Sequence, residues 1–205
     1  MKVIIVNGSP HTNGCTARAL KEVETVLNDN GIETININIG VKPLRGCSAC
    51  LYCRTHKRCV YNDDPVNETA ELLADADGII IGSPVYYAGL NGQVRAFLDR
   101  LFYSSSAIDK TMKLGAVVLS SRRAGSTTAY DEAVKYFGIA SMPIVTSTYW
   151  NEVHGSTPED VEKDLEGLQT MRNLGRNFAF LLKAIDAQRH LIPSLERGVR
   201  TNFIN

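Results

Sequence analysis

The chain has no apolar run approaching the roughly 20 residues that a membrane-spanning helix needs. It has no charge bias either: 22 Lys and Arg stand against 22 Asp and Glu in 205 residues. A neutral balance gives no electrostatic footing for a nucleic-acid or membrane-surface partner. Internal repeats and low-complexity linkers are absent, which excludes solenoids and arrays. Neither G-x-x-x-x-G-K-[ST] nor G-x-G-x-x-G occurs, so the phosphate loop of triphosphatases and the dinucleotide fingerprint are both missing. The opening MKVIIVNGSP breaks at Asn7-Gly8-Ser9-Pro10, too early for a signal peptide, and the expected compartment is the cytoplasm. Apolar content of 44% and charged content of 21% are those of an ordinary globular domain.

Cysteine is scarce everywhere except in one place. Of five, four fall in GCSACLYCRTHKRC, as Cys47, Cys50, Cys53 and Cys59. Thiolates gathered this closely repel one another unless a metal or a disulfide absorbs the charge. The C-x2-C-x2-C run has the spacing that holds a cubane iron–sulfur cluster in bacterial ferredoxins. Zinc usually takes two separated cysteine pairs, or a cysteine and a histidine pair, although His56 lies inside this run. Free or redox-active thiols are the third reading, and a reducing compartment disfavours disulfides. Cys15 stands apart and reads as a small packing residue.

Short apolar runs alternate with amphipathic segments. Strands are expected at 3–6, 35–39, 78–81, 114–119 and 142–149, and helices at 14–28, 68–76, 93–103, 127–138 and 158–188. Ile35, Ile37 and Ile39 alternate with Asn36 and Asn38, as on a strand with one wetter face. Five strands alternating with helices predict a doubly wound parallel α/β sheet. The wetter strand belongs at an edge, which favours the flavodoxin-like order 2-1-3-4-5, with the ligand beyond the carboxyl ends of strands 1 and 3. One domain over 1–191 is expected, with a cysteine-rich insertion at about 43–63 and an extended tail over 192–205.

The connections at that ligand edge carry the chemistry. Residues 7–16, NGSPHTNGCT, offer hydroxyls and backbone N–H groups at a helix start, which suits a phosphate monoester. The plainer reading is a helix capped by Asn13 or Ser9. Residues 82–89, GSPVYYAG, combine a turn, two aromatics and small residues against which a planar ring system can lie. The loop after the fourth strand holds Ser121, Arg122 and Arg123. A cation there would favour negative charge building on a bound cofactor or meet a phosphate; a solvated basic pair is the alternative. Trp150 and His154, after the last strand, line the site or an interface, or simply pack.

GSPHTNGCT followed by IGSPVYYAGLNGQVRAFLDR resembles the NADPH-dependent FMN reductase family. With CSACLYCRTHKRC between them, the chain looks most like the iron–sulfur flavoprotein branch. The resemblance covers about residues 1–150. It implies non-covalent FMN, a [4Fe-4S] cluster, NAD(P)H as a possible cosubstrate, and a homodimer or homotetramer. It places Ser9, Asn13, Cys15 and Thr16 around the phosphate, with His11 where relatives often have a basic residue, and Pro84, Val85, Tyr86, Tyr87 and Gly89 near the isoalloxazine. Cys47, Cys50, Cys53 and Cys59 become cluster ligands. The expected activity is electron transfer between a reduced donor, NAD(P)H or ferredoxin-like, and a small-molecule or small redox-protein acceptor. The alternatives are an NAD(P)H-dependent FMN or quinone reductase without a working cluster, and a non-enzymatic flavodoxin-like carrier.

Overall fold

The structure, a computed structural model, describes residues 1–196, 198, 199, 201 and 203. Five parallel strands form the sheet: β1 (Lys2–Asn7), β2 (Glu33–Asn38), β3 (Gly78–Tyr86), β5 (Leu114–Ser121) and β6 (Glu152–His154). A two-residue strand, β4 (Gly89–Leu90), folds back antiparallel on the end of β3. The spatial order is β2-β1-β3-β5-β6, with β4 off the path. The order is therefore 2-1-3-5-6 rather than the expected 2-1-3-4-5, because the β3–β4 hairpin enters the chain count. The half-polar β2 does lie at the edge.

The sheet is covered on both faces. Alternate side chains of β1, Ile4 and Val6, pack with α3 (Val66–Asp75), α4 (Gly92–Ser104) and α5 (Ser126–Ile139). Their neighbours Val3 and Ile5 pack with α1 (Cys15–Asp29), α6 (Pro158–Val161) and α7 (Leu165–Ala187). The central strands are apolar towards both layers, as a two-sided burial demands.

Two expected elements differ. The strand placed at 142–149 is reduced to a single bridge, Gly115 with Ile144, and pairing resumes only at Glu152–His154. Residues 146–151 bow away between these points. The carbonyl of Thr146 accepts from Asn177, Ser147 Oγ donates to the carbonyl of Thr170, and the buried Asn151 amide closes the bow onto Val145 O at 3.3 Å. The long helix expected at 158–188 is split. A capping box of Thr157 and Asp160 starts α6, and Asp164 restarts α7 by accepting from Gly167 N at 2.9 Å. The break rotates the register, so Leu165, expected inside, is exposed. Residues 192–196 carry neither helix nor strand. Residues 197, 200, 202, 204 and 205 of the expected tail lie outside the described residues.

Candidate functional site

Beyond the carboxyl ends of β1, β3 and β5 lies a cavity of about 720 Å³. The loop after β1 forms one wall. Asn7 organises it: its Oδ1 accepts from Ser9 N at 3.1 Å, and its Nδ2 donates to Asn38 Oδ1 at 3.1 Å. Ser9 Oγ then accepts from His11 N at 3.1 Å. The N-cap of α1 is Gly14, which has no side chain, so neither Asn13 nor Ser9 caps the helix as the plainer reading expected. The first-turn amides are thus left beside the cavity without a capping oxygen, a setting that favours an anion.

Ser9, His11, Asn13, Cys15 and Thr16 all line this cavity, as do Pro84, Val85, Tyr86, Ser121 and Arg122. Thr16 and Ser120 are buried and share a 2.7 Å hydroxyl hydrogen bond. The Cys15 thiol donates to Gly155 O at 3.6 Å, and burial pushes its pKa up, which keeps it a thiol. Ser121 Oγ lies 3.1 Å from His154 Nδ1.

Two expected residues are not brought to the cavity. Tyr87 and Ala88 form the two-residue tip of the β3–β4 hairpin, both with positive φ (50° and 56°), and the Tyr87 side chain is fully exposed. Two positive φ values are what a tight hairpin of this twist requires, although Asn-Gly is the usual choice. Gly89 pairs with Tyr86, and its α-carbon faces Arg95 and Glu132. The sequence reading missed residues 155–158 on the opposite wall. Their signal was the Thr157–Asp160 capping box at the start of the expected helix.

Gly40 holds the loop in place. A Cβ on it would stand 2.2 Å from Ser9 O. Asn91, the N-cap of α4, is buried. It accepts from Val94 N at 2.8 Å and donates to Gly8 O at 2.6 Å, joining that helix to the same loop.

The cysteines form a second site on the far part of α4. Cys47, Cys50, Cys53 and Cys59 line one small hollow together with Arg100, Tyr103 and Ser104. Cys47 and Cys50 are exposed, whereas Cys53 and Cys59 are half-buried. Burial, then the neighbouring thiols, raise the pKa of Cys53. The loop carrying them is held by Asn67, which accepts from Cys59 N at 2.9 Å and donates to Cys59 O and Tyr61 O, each at 3.1 Å. Among the described residues no three His, Cys, Asp or Glu side chains are grouped to hold a single metal ion. Ser104 Oγ is buried without a hydrogen-bond partner.

The model of the NADPH-dependent FMN reductase family matches residues 1–157. An iron–sulfur flavoprotein of Methanocaldococcus jannaschii is 35% identical over 90% of this chain and 99% of its own length. One from Archaeoglobus fulgidus is 28% identical over 90% of this chain and 98% of its own. The chain belongs to the NADPH-dependent FMN reductase family, in its iron–sulfur flavoprotein branch, and is a flavin-dependent oxidoreductase. In fold it is similar to RosB, solved with 8-demethyl-8-formylriboflavin-5′-phosphate, with a TM-score of 0.69 at 12% identity over all of this chain and 92% of that one. It is likewise similar to an archaeal flavodoxin, with a TM-score of 0.60 at 16% identity over 89% of this chain and 99% of that one. No helix among the described residues is long and apolar enough to cross a membrane.

Proposed function

We propose that this oxidoreductase moves electrons between a reduced donor, NAD(P)H or a ferredoxin-like protein, and an acceptor by way of FMN and a [4Fe-4S] cluster. The observation that carries this reading is the convergence of all four cysteines on one hollow, in a chain whose cavity beyond β1, β3 and β5 suits a flavin phosphate.

The cysteines fit the cluster on three counts. There is one thiol for each of four irons. They lie in one run around a shared hollow, whereas zinc usually takes two separated pairs. The unpartnered Ser104 hydroxyl and the Arg100 guanidinium lie beside them as donors for sulfur.

FMN, when bound, would supply both hydride exchange and one-electron transfer, and so would join two-electron and one-electron partners. The chain's own residues hold and orient it. Ser9, Asn13, Thr16 and the open amides of α1 receive the phosphate, with His11 donating one hydrogen bond. Pro84, Val85 and Tyr86 form the face against the ring, and Tyr87 and Gly89 supply the shape of the turn behind it. Ser121 and Arg122 offer a hydroxyl and a cation where negative charge builds on reduction.

No residue lines both cavities. The reading therefore includes a homodimer or homotetramer, in which the exposed Cys47–Cys50 edge of one chain meets the flavin site of another. The cytoplasm, where thiols stay reduced, is the fitting compartment.

The test is the visible spectrum of anaerobically purified protein with iron and acid-labile sulfide assays. Flavin bands with a broad shoulder and about four iron per chain are expected. Flavin without iron would leave the second reading, a cluster-free NAD(P)H-dependent FMN or quinone reductase.

A further inference from the structure

Arg100 is the largest fully buried side chain in the molecule among the described residues, and its side chain is 0% exposed. Burying a guanidinium costs several kcal/mol unless its charge and its donors are matched. Here the donors are spent on the cysteine loop. One edge of the fork, Nε and Nη2, straddles Cys59 Sγ, each nitrogen 3.3 Å from the sulfur. The adjacent edge, Nη1 and Nη2, grips the Asp64 carboxylate. Nη1 also donates to Arg45 O at 3.2 Å, and the Tyr61 ring lies 5.1 Å from the guanidinium carbon.

A thiol sulfur is a weak acceptor, and a two-pronged donor is wasted on it. A metal-bound thiolate is a strong one. A helix residue needed only for packing is better served by Leu or Met. We infer that Arg100 is a positioning residue for the cluster ligand Cys59, and that its two N–H···S hydrogen bonds raise the reduction potential of the cluster. Adding one electron increases the negative charge on the cluster sulfurs, and the guanidinium stabilises that charge. Asp64 acts in the opposite direction: its carboxylate, gripped by the same fork, offsets part of the guanidinium's charge. This rests on the proposed cluster and adds what sets its potential.

The experiment is a one-electron potentiometric titration of the anaerobic holoprotein, followed by electron paramagnetic resonance of the reduced cluster, with iron and flavin measured on each sample. Arg100→Met is expected to keep its iron and FMN. At the wild-type midpoint its ratio of reduced to oxidised cluster falls about tenfold, equivalent to about 59 mV for one electron. Arg100→Lys, which keeps the charge but loses the fork, falls between. Asp64→Asn shifts the ratio the other way, and the flavin potential moves in none of them. Purely structural damage does not produce shifts of opposite sign.

Iron-loaded variants with the wild-type potential would overturn the inference and leave the cluster reading intact. Should Arg100→Met fail to fold, Asp64→Asn decides, because an unmoved or lowered potential there sinks the inference. Wild-type protein that holds flavin but no iron removes both.

Discussion

Thr16 and Ser120 share a hydrogen bond of 2.7 Å inside the protein, tying the first turn of α1 to the end of β5. Thr16→Val keeps the shape and removes the hydroxyl, which leaves a buried Ser120 Oγ unpaired. The expected cost is about 1–3 kcal/mol in urea unfolding, with weaker FMN binding, because both residues line the cavity proposed for the flavin. Thr16→Ser restores both. Unchanged unfolding in Thr16→Val would show that this contact carries no stability.

Gly40→Ala tests the packing behind the phosphate loop. The added methyl meets Ser9 O at 2.2 Å, and the obstacle is backbone, which cannot swing aside. A penalty of about 1–3 kcal/mol is expected, with a loss of FMN affinity read by flavin fluorescence titration of the apoprotein. Full affinity would mean that the loop shifts freely.

Cys50→Ser and Cys53→Ser separate the two sites. Iron and sulfide should fall sharply while FMN content stays at the wild-type level, since neither cysteine lines the flavin cavity. Electron delivery to a one-electron acceptor should fall with the iron. Loss of FMN in step with iron would contradict the separation.

Glu22 gives an acid-stability prediction. Burial raises its pKa, but hydrogen bonds from Arg172 and Arg18 outweigh this and hold it below the ordinary carboxylate value. A lowered folded-state pKa supplies stability that is present above the unfolded pKa, near 4.5, and is lost as pH falls through the folded value. Melting temperature should therefore decline below about pH 4.5. Glu22→Gln should be less stable at pH 7, and its difference from wild type should shrink in acid. A constant gap across that range would exclude the ion pairs as its cause.

Much of this was legible in the chain. Unbroken apolar runs such as Val3–Val6 and Ile79–Ile81 can only be strands buried on both faces, and the polar connections after them mark the ligand edge. The cysteine spacing anticipated that the four thiols share one hollow. What escaped the reading was set by contacts distant in sequence. Residues 142–149 carry strand-like side chains, but Asn177 and Thr170 on α7 draw the middle of that segment off the sheet. Apolar spacing runs through Asp164, so only its cap on Gly167 reveals the break. Nothing local marks Gly40, whose small size matters because Ser9 passes over it. Arg100 reads as an ordinary charge on an amphipathic helix, and its burial depends on a loop some 40 residues earlier.

Helix α4 touches both sites: Asn91 at its start binds the loop of the flavin cavity, and Arg100 and Ser104 further on line the cysteine hollow. At about 1.5 Å of rise per residue, the helix is a ruler about 13 Å long between Asn91 and Arg100. Within one chain, that length sets the spacing between the loop of the first cavity and the cysteine hollow. Adding or removing one turn, about 5.4 Å, would move the hollow relative to that loop without changing a single cysteine.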